Sequence, residues 1–144
     1  MNDEPPRDYA RHPEWRMAFD VAAIVKATSL ALNLSSEHEW LRFVLIETAD
    51  NMRNAVLWAA TGKTDDESSS RGYRRTELVI AADAARGDAV IASYCLAFMR
   101  SQGLIDEGLA DPVSERLDQL EDQLHQLAQD LRARGATINA RWED

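Results

Sequence analysis

Cysteine is all but missing from this chain: Cys95 is the only one in 144 residues, so no disulfide can form within it and a reducing compartment is the expectation. Long apolar runs are missing as well. The longest, "VAAIVKATSLALNL" at residues 21–34, falls short of the roughly 20 residues a membrane span needs, and Arg16, Asp20 and Lys26 interrupt any wider window. Basic charge is scarce, with 16 Lys and Arg against 25 Asp and Glu and a formal net charge of -9. That balance disfavours nucleic acid and anionic membranes as partners, because both are bound through summed positive charge. Proline is rare too, four residues against 45% apolar content, which excludes a chain disordered throughout. The opening "MNDEPPRDYARHPEW" is acidic and proline-bearing where a signal peptide would be basic and then apolar, so a cytoplasmic location is expected. No segment alternates apolar and polar residues as a strand does, and no fixed repeat is visible.

What the chain does have is helical pattern. Residues 1–12 read as a flexible tail, and Pro13 suits the first turn of a helix running to about Leu34. Ser36 and Glu39 have capping-box spacing, so a second helix is expected from Ser36 to near Gly62. The polar "KTDDESSSRG" reads as a linker. A third helix is expected from about Tyr73 to Gln102, closed by Gly103 with Leu104 folding back on Met99. Asp111 and Pro112 then resemble a cap and first-turn proline for a fourth helix ending near Arg134, before Gly135, with residues 136–144 as a second flexible tail. The chain is long enough for one domain with a real core. The expected fold is all-α, a single up-down-up-down four-helix bundle over residues 1–144.

The helices differ in how much apolar surface they carry. The fourth places Val113, Leu117, Leu120, Leu124, Leu127 and Leu131 in one narrow seam, with a carboxylate-rich opposite face. At 100° per residue the first helix shows two apolar faces, Met17, Val21, Ile24, Val25 and Leu32 on one and Phe19, Ala23, Leu30 and Leu34 on the other. A polar strip of Lys26, Ser29 and Asn33 separates them. The second helix repeats this more weakly, with Leu41, Leu45, Met52 and Val56 against Phe43, Ile46 and Leu57. Each large side chain left in water forgoes about 1.5–3 kcal/mol, so Phe19, Ala23, Leu30, Leu34, Phe43, Ile46 and Leu57 form the expected interface between copies of the chain.

Chemistry-bearing residues are few. In "ETADNMRN", Glu47, Asp50, Asn51 and Asn54 share a helix face, and the Glu47–Asp50 pair matches the E-x-x-D fragment with which all-α nucleotide pyrophosphohydrolases of the MazG type hold magnesium. A solvated face is the simpler reading, since Glu77, Asp83 and Asp88 point in three directions and supply no facing acidic set. The fragment "DQLH" at residues 122–125 lacks the inward Glu-x-x-His pairs of a di-iron bundle. His12, His38 and His125 read as exposed or locally bonded, and Cys95 as a small core residue. Arg75, Arg86 and Arg100 lie along nearly one line of the third helix with Ser93 among them, and Arg71 and Arg74 stand just upstream. They suit phosphates or a partner, or pair with Asp118, Glu121 and Asp122 of the fourth helix. The run "AADAARGDAVIA" reads as close helix packing. No catalytic residue, metal site or cofactor is expected.

Together, "PEWRMAFDVAAIVKAT", "WAATGK", "YRRTELVIAADAARGDAVIASYCLAFMRSQGLI" and the leucine-seamed last helix resemble a family of small four-helix bundles. It comprises proteins encoded in intervening sequences of bacterial large-subunit ribosomal RNA genes and the accessory variability determinant of diversity-generating retroelements. The resemblance spans about residues 14–134, and its local points are Trp15, Ala18, Gly62 and the run Ala81 to Ala84. It implies no catalytic residues and a homopentamer of bundles forming a barrel. Retroelement members are strongly basic and are associated with reverse transcriptase and RNA; this chain has the opposite charge. The expectation is thus a non-enzymatic, self-associating accessory or scaffold, with a MazG-like hydrolase and an acidic inhibitor or immunity-type protein of a basic target as the alternatives.

Overall fold

The computed structural model describes residues 13–61 and 67–143, with side chains over 13–59 and 76–133. Four helices account for nearly all of them: α1 (Pro13–Ala31), α2 (Glu39–Thr61), α3 (Glu67–Ser101) and α4 (Glu107–Glu143), with a 3-10 turn at Ser36–His38 before α2. No strand occurs among the described residues, and no described helix is long and apolar enough to cross a membrane.

Contacts between successive helices run in opposite directions along the chain. Arg42, Asp50 and Arg53 of α2 meet Ser29, Lys26 and Phe19 of α1. Cys95 and Asp88 of α3 meet Leu41 and Asn51 of α2, and Asp111, Asp118 and Arg132 of α4 meet Arg100, Ser93 and Asp83 of α3. Each neighbouring pair is therefore antiparallel, and α4 closes the ring against α1. This is the expected up-down-up-down bundle.

One core fills its centre. All six apolar residues of the α4 seam are buried, Leu117, Leu120 and Leu124 completely. From α2 come Leu41, Leu45, Met52 and Val56, and from α1 Trp15, Val21 and Val25. The inward line of α3 is different, since Ala82, Ala85, Ala89 and Ala92 are fully buried and only then come Leu96 and Met99. Alanine there lets neighbouring backbones approach closely, so the small-residue run is a packing device. Two buried hydroxyls are satisfied within their own helices, Ser29 by the carbonyl of Lys26 and Thr48 by that of Leu45.

The helix ends depart from expectation in four places. First, α1 stops at Ala31 and not at Leu34. The cause comes from α2: the Arg42 guanidinium donates to the carbonyls of Ser29 and Leu32 and is held by Glu39. A helix C-terminus leaves such carbonyls without partners, and a cation there also suits the helix dipole. Glu39 is thereby diverted from the expected capping box; the residue before the 3-10 turn is Ser35, whose hydroxyl meets His38 Nδ1 at 3.0 Å.

Second, α3 already begins at Glu67, so Glu67 to Gly72 of the expected linker are helical; residues 62–66, Gly62 included, lie outside the described part. Third, α4 begins at Glu107 and carries Pro112 inside it. Asp106 opens the helix, its carbonyl accepting from the amides of Leu109 and Ala110 at 3.0 and 2.9 Å. Fourth, α4 continues through Gly135 to Glu143, so residues 136–143 are not a separate tail; an internal glycine costs a helix only about 1 kcal/mol. Residues 1–12 are outside the described part.

The stop at Gly103 is as expected. Its φ is +68°, a left-handed conformation that glycine adopts without a Cβ penalty. The amides of Gly103 and Leu104 donate to the carbonyls of Arg100 and Met99 at 3.1 and 2.8 Å, which completes a Schellman motif.

The Arg42 contact should be sensitive to chemistry and not only to charge. Arg42→Ala should lower the thermal midpoint by about 2–4 °C. Arg42→Lys should recover little of it, because one ammonium cannot span two carbonyls and a carboxylate in that fork. Thermal denaturation followed by circular dichroism checks both.

Candidate interaction surface

The expected interface residues are divided by the structure. Phe19, Ala23 and Leu30 of α1, with Ala49, Asp50 and Arg53 of α2, line a shallow groove of about 320 Å³. It is not purely apolar. Lys26 Nζ binds Asp50 Oδ1 at 2.9 Å, and the Arg53 guanidinium lies 5.5 Å from the centre of the Phe19 ring. The polar strip of α1 therefore turns toward α2: Ser29 is fully buried and Lys26 is paired. Phe19 and Leu34 already pack against the core, Ile46 and Leu57 are half-buried, and Ala23, Leu30 and Phe43 are exposed.

A larger apolar surface lies elsewhere, over the exteriors of α2 and α3. Trp40, Phe43 and Trp58 of α2 are exposed there, as are Ile80, Ile91, Tyr94 and Phe98 of α3, with Tyr94 at 73%. Trp40 and Phe98 touch across the two helices, ring centres 6.3 Å apart. The antiparallel register set by Leu41 with Cys95 and Asn51 with Asp88 brings Trp58 abreast of Ile80. Aromatic residues flanking a helix pair at both ends are poor company for water and are enriched at interfaces.

The signal for this surface is in the sequence and is simple. Ile80, Ala84, Gly87, Ile91, Tyr94 and Phe98 recur at alternating spacings of four and three, the heptad pattern of a coiled-coil seam. The inward residues Ala82, Ala85, Ala89, Ala92, Leu96 and Met99 follow the same rhythm on the other side. α3 thus has two seams, one filled by the bundle and one facing outward. No charged residue interrupts the outer one.

The arginine row is turned largely to structural use where its side chains are described. Arg100 stands between Glu107 and Asp111 of α4, at 3.7 and 3.3 Å. Arg86 is close enough to Glu121 to oppose the rise in that carboxyl's pKa, a rise driven chiefly by burial and then by Asp118. Asp118 also accepts from Ser93 at 3.4 Å. The side chains of Arg71, Arg74 and Arg75 lie outside the described set.

The other candidate chemistry is dispersed. Glu47 is exposed, and Asp50 is committed to Lys26. Asp83 bonds Arg132 of α4, while Asp88 turns the other way to accept from Asn51 at 3.4 Å. Among the described residues, no group of three or more His, Cys, Asp or Glu is placed to hold a metal ion. Comparison of the chain with protein-family models, curated proteins and solved structures finds no match.

Two titrating groups give checks on this geometry. Burial pushes the Cys95 thiol up to about 11, and the sulfur lies 3.7 Å from the Leu41 carbonyl oxygen and 4.0 Å from Met99 Sδ. Thiol-reactive disulfide reagents at pH 8 should modify Cys95 slowly in the native protein and at once in denaturant. Burial, with some help from Glu47, raises the Asp88 carboxyl above its ordinary 3.8. Its charged form is disfavoured by folding, so the penalty is full above the folded pKa and absent below 3.8. Asp88→Asn should raise the thermal midpoint by about 1–2 °C at pH 7, and that gain should vanish as the pH falls toward the unfolded value.

Proposed function

We propose that this chain is a non-enzymatic helical bundle that self-associates and serves as an accessory or scaffold for another protein. The observation that supports the reading is the apolar exterior of α2 and α3, with Trp40, Phe43, Ile91, Tyr94 and Phe98 open to water in a chain carrying a net charge of -9. Fully burying an exposed large apolar side chain is worth about 1.5–3 kcal/mol, of which these residues, 44–73% exposed, retain a part to gain, and surfaces of this kind mark association sites. The groove bearing Phe19, Ala23 and Leu30 offers a second, smaller apolar patch beside them. The resemblance to intervening-sequence and retroelement accessory bundles points the same way and implies five copies. Nucleic acid has less support as a partner, given the net charge and the engagement of Arg86 and Arg100 with α4.

Light scattering on the purified protein at ~10 μM, a range in which moderate self-affinity is read, should return a whole multiple of the 16.2 kDa chain mass. A value of one chain mass, held on raising the concentration tenfold, rejects the reading.

A further inference from the structure

The outer seam of α3 also carries information about what covers it. Read from Ile80 to Phe98, its six positions are large, small, small, large, large, large: Ile80, Ala84, Gly87, Ile91, Tyr94, Phe98. Laid against its own reverse, it matches. Phe98 falls opposite Ile80, Tyr94 opposite Ala84 and Ile91 opposite Gly87, so both small residues receive a large one and no small residue faces another.

We propose that α3 pairs antiparallel with α3 of a second copy, about a two-fold axis beside Ala89, through Ile80, Ala84, Gly87, Ile91, Tyr94 and Phe98. This rests on the self-association reading and names its face and symmetry, a two-fold pair in place of the five copies that the family resemblance implies. Three observations carry it. The seam is sterically open: a Cβ placed on Gly87 would meet nothing within 4 Å, and Ala84 and Gly87 are both exposed. Its 4-3 spacing is that of helices packed side by side over many turns, and in an antiparallel pair the two kinds of seam position face each other, as they do in this register. The flanks also fit, for Trp40 lies beside Phe98 and Trp58 abreast of Ile80, so the same two-fold carries Trp40 toward Trp58 of the second copy.

Other arrangements are worse by inspection. A parallel pairing stacks Tyr94 on Tyr94 and Gly87 on Gly87, crowding one layer and leaving a void in another. Sliding the antiparallel pair by one heptad one way places Ala84 against Gly87 and Tyr94 against Glu77; the other way it places Ile91 against Tyr94 and Ala84 against Ser101. On the flank toward α2 the register carries Asp88, which accepts from Asn51, and exposed Glu47 beyond it. The flank away from α2 is Asp83, Val90 and Ala97, and Asp83 is bonded by Arg132. The seam's match to its own reverse, with Tyr94 on Ala84 and Ile91 on Gly87, is what an isologous two-fold interface requires, and it favours a second copy over an unrelated partner.

The decisive variant is Gly87→Leu. In one chain it adds a better helix former into open space, so helicity and the thermal midpoint of the isolated bundle should not fall. In the pair it overfills the Gly87–Ile91 layer twice, and association should weaken by about 10- to 100-fold, with the mass dropping toward one chain. Gly87→Leu with Ile91→Ala exchanges large and small within that layer and should restore the dimer. In a Cys95→Ala background, a Gly87→Cys chain mixed with an Ile91→Cys chain should form a disulfide-linked pair, while neither does so alone. A wild-type mass of five chains, or a mass unmoved by Gly87→Leu but reduced by Phe19→Lys with Leu30→Lys, overturns the two-fold while self-association stands. Loss of association that the double variant does not restore also overturns it. A wild-type protein of one chain mass sinks both readings together.

Discussion

The narrowness of α3 on its inner side governs the rest of this molecule. Leucines from α4 and leucine, methionine and valine from α2 and α1 already supply the bulk of the core, and Leu117, Leu120 and Leu124 are sealed within it. A bundle interior at protein packing density leaves few voids, so the helix that completes it must match the space the other three leave. Alanine at positions 82, 85, 89 and 92 is the solution. Large residues of α3 are fully buried in the core only toward its end, at Leu96 and Met99. Ile80, Ile91, Tyr94 and Phe98 stand on its other side, where Phe98 meets Trp40 at the edge of α2.

Polar contacts fix how the helices meet, and they differ in weight. The ion pairs of Arg100 with α4 and of Arg16 with Asp20 join well-exposed side chains, and pairs of that kind contribute little in water. Arg42 is another matter. Its side chain keeps only 17% of its exposure and joins the carbonyl end of α1 to the first turn of α2, so the turn is held by one residue that bonds both sides. The direction of its titration agrees: Glu39, hydrogen-bonded to it, is held below the ordinary carboxylate range.

Much of the architecture could be read from the chain because the signals were local and undisputed. The leucine seam of α4 and the glycine stop at position 103 depend on spacing and on one backbone conformation. Other ends were decided by distant residues. Glu39 has a partner in the capping box on paper, but Arg42 competes for it with a stronger, charge-assisted bond. Asp111 and Pro112 look like a helix start, yet Asp106 begins the helix one turn earlier and Asp111 goes to Arg100. The apolar exterior of α3 was harder to read for a geometric reason. Two seams interleave in "AADAARGDAVIA", and a run scored for its small residues as a whole conceals that Ala84 and Gly87 belong with Ile80 and Ile91, while Ala82, Ala85 and Ala89 belong to the core. The second face of α1 had the converse problem: a wheel counts Phe19 and Leu34 as surplus, whereas in the fold they lean back on the core.

The distribution of charge bears on how far assembly can go. Carboxylates crowd the exterior of α4, where Glu115, Asp118, Asp122 and Asp130 are exposed, and the outer seam of α3 has none. Like charges on α4 repel at short range, so that side of the bundle resists the approach of a second copy. An apolar patch that fits a different patch on the next molecule propagates into a filament unless the rotation closes. A patch that fits itself is used up by a single partner. Under the two-fold proposal such a pair ends there, with the exposed carboxylates of α4 facing outward.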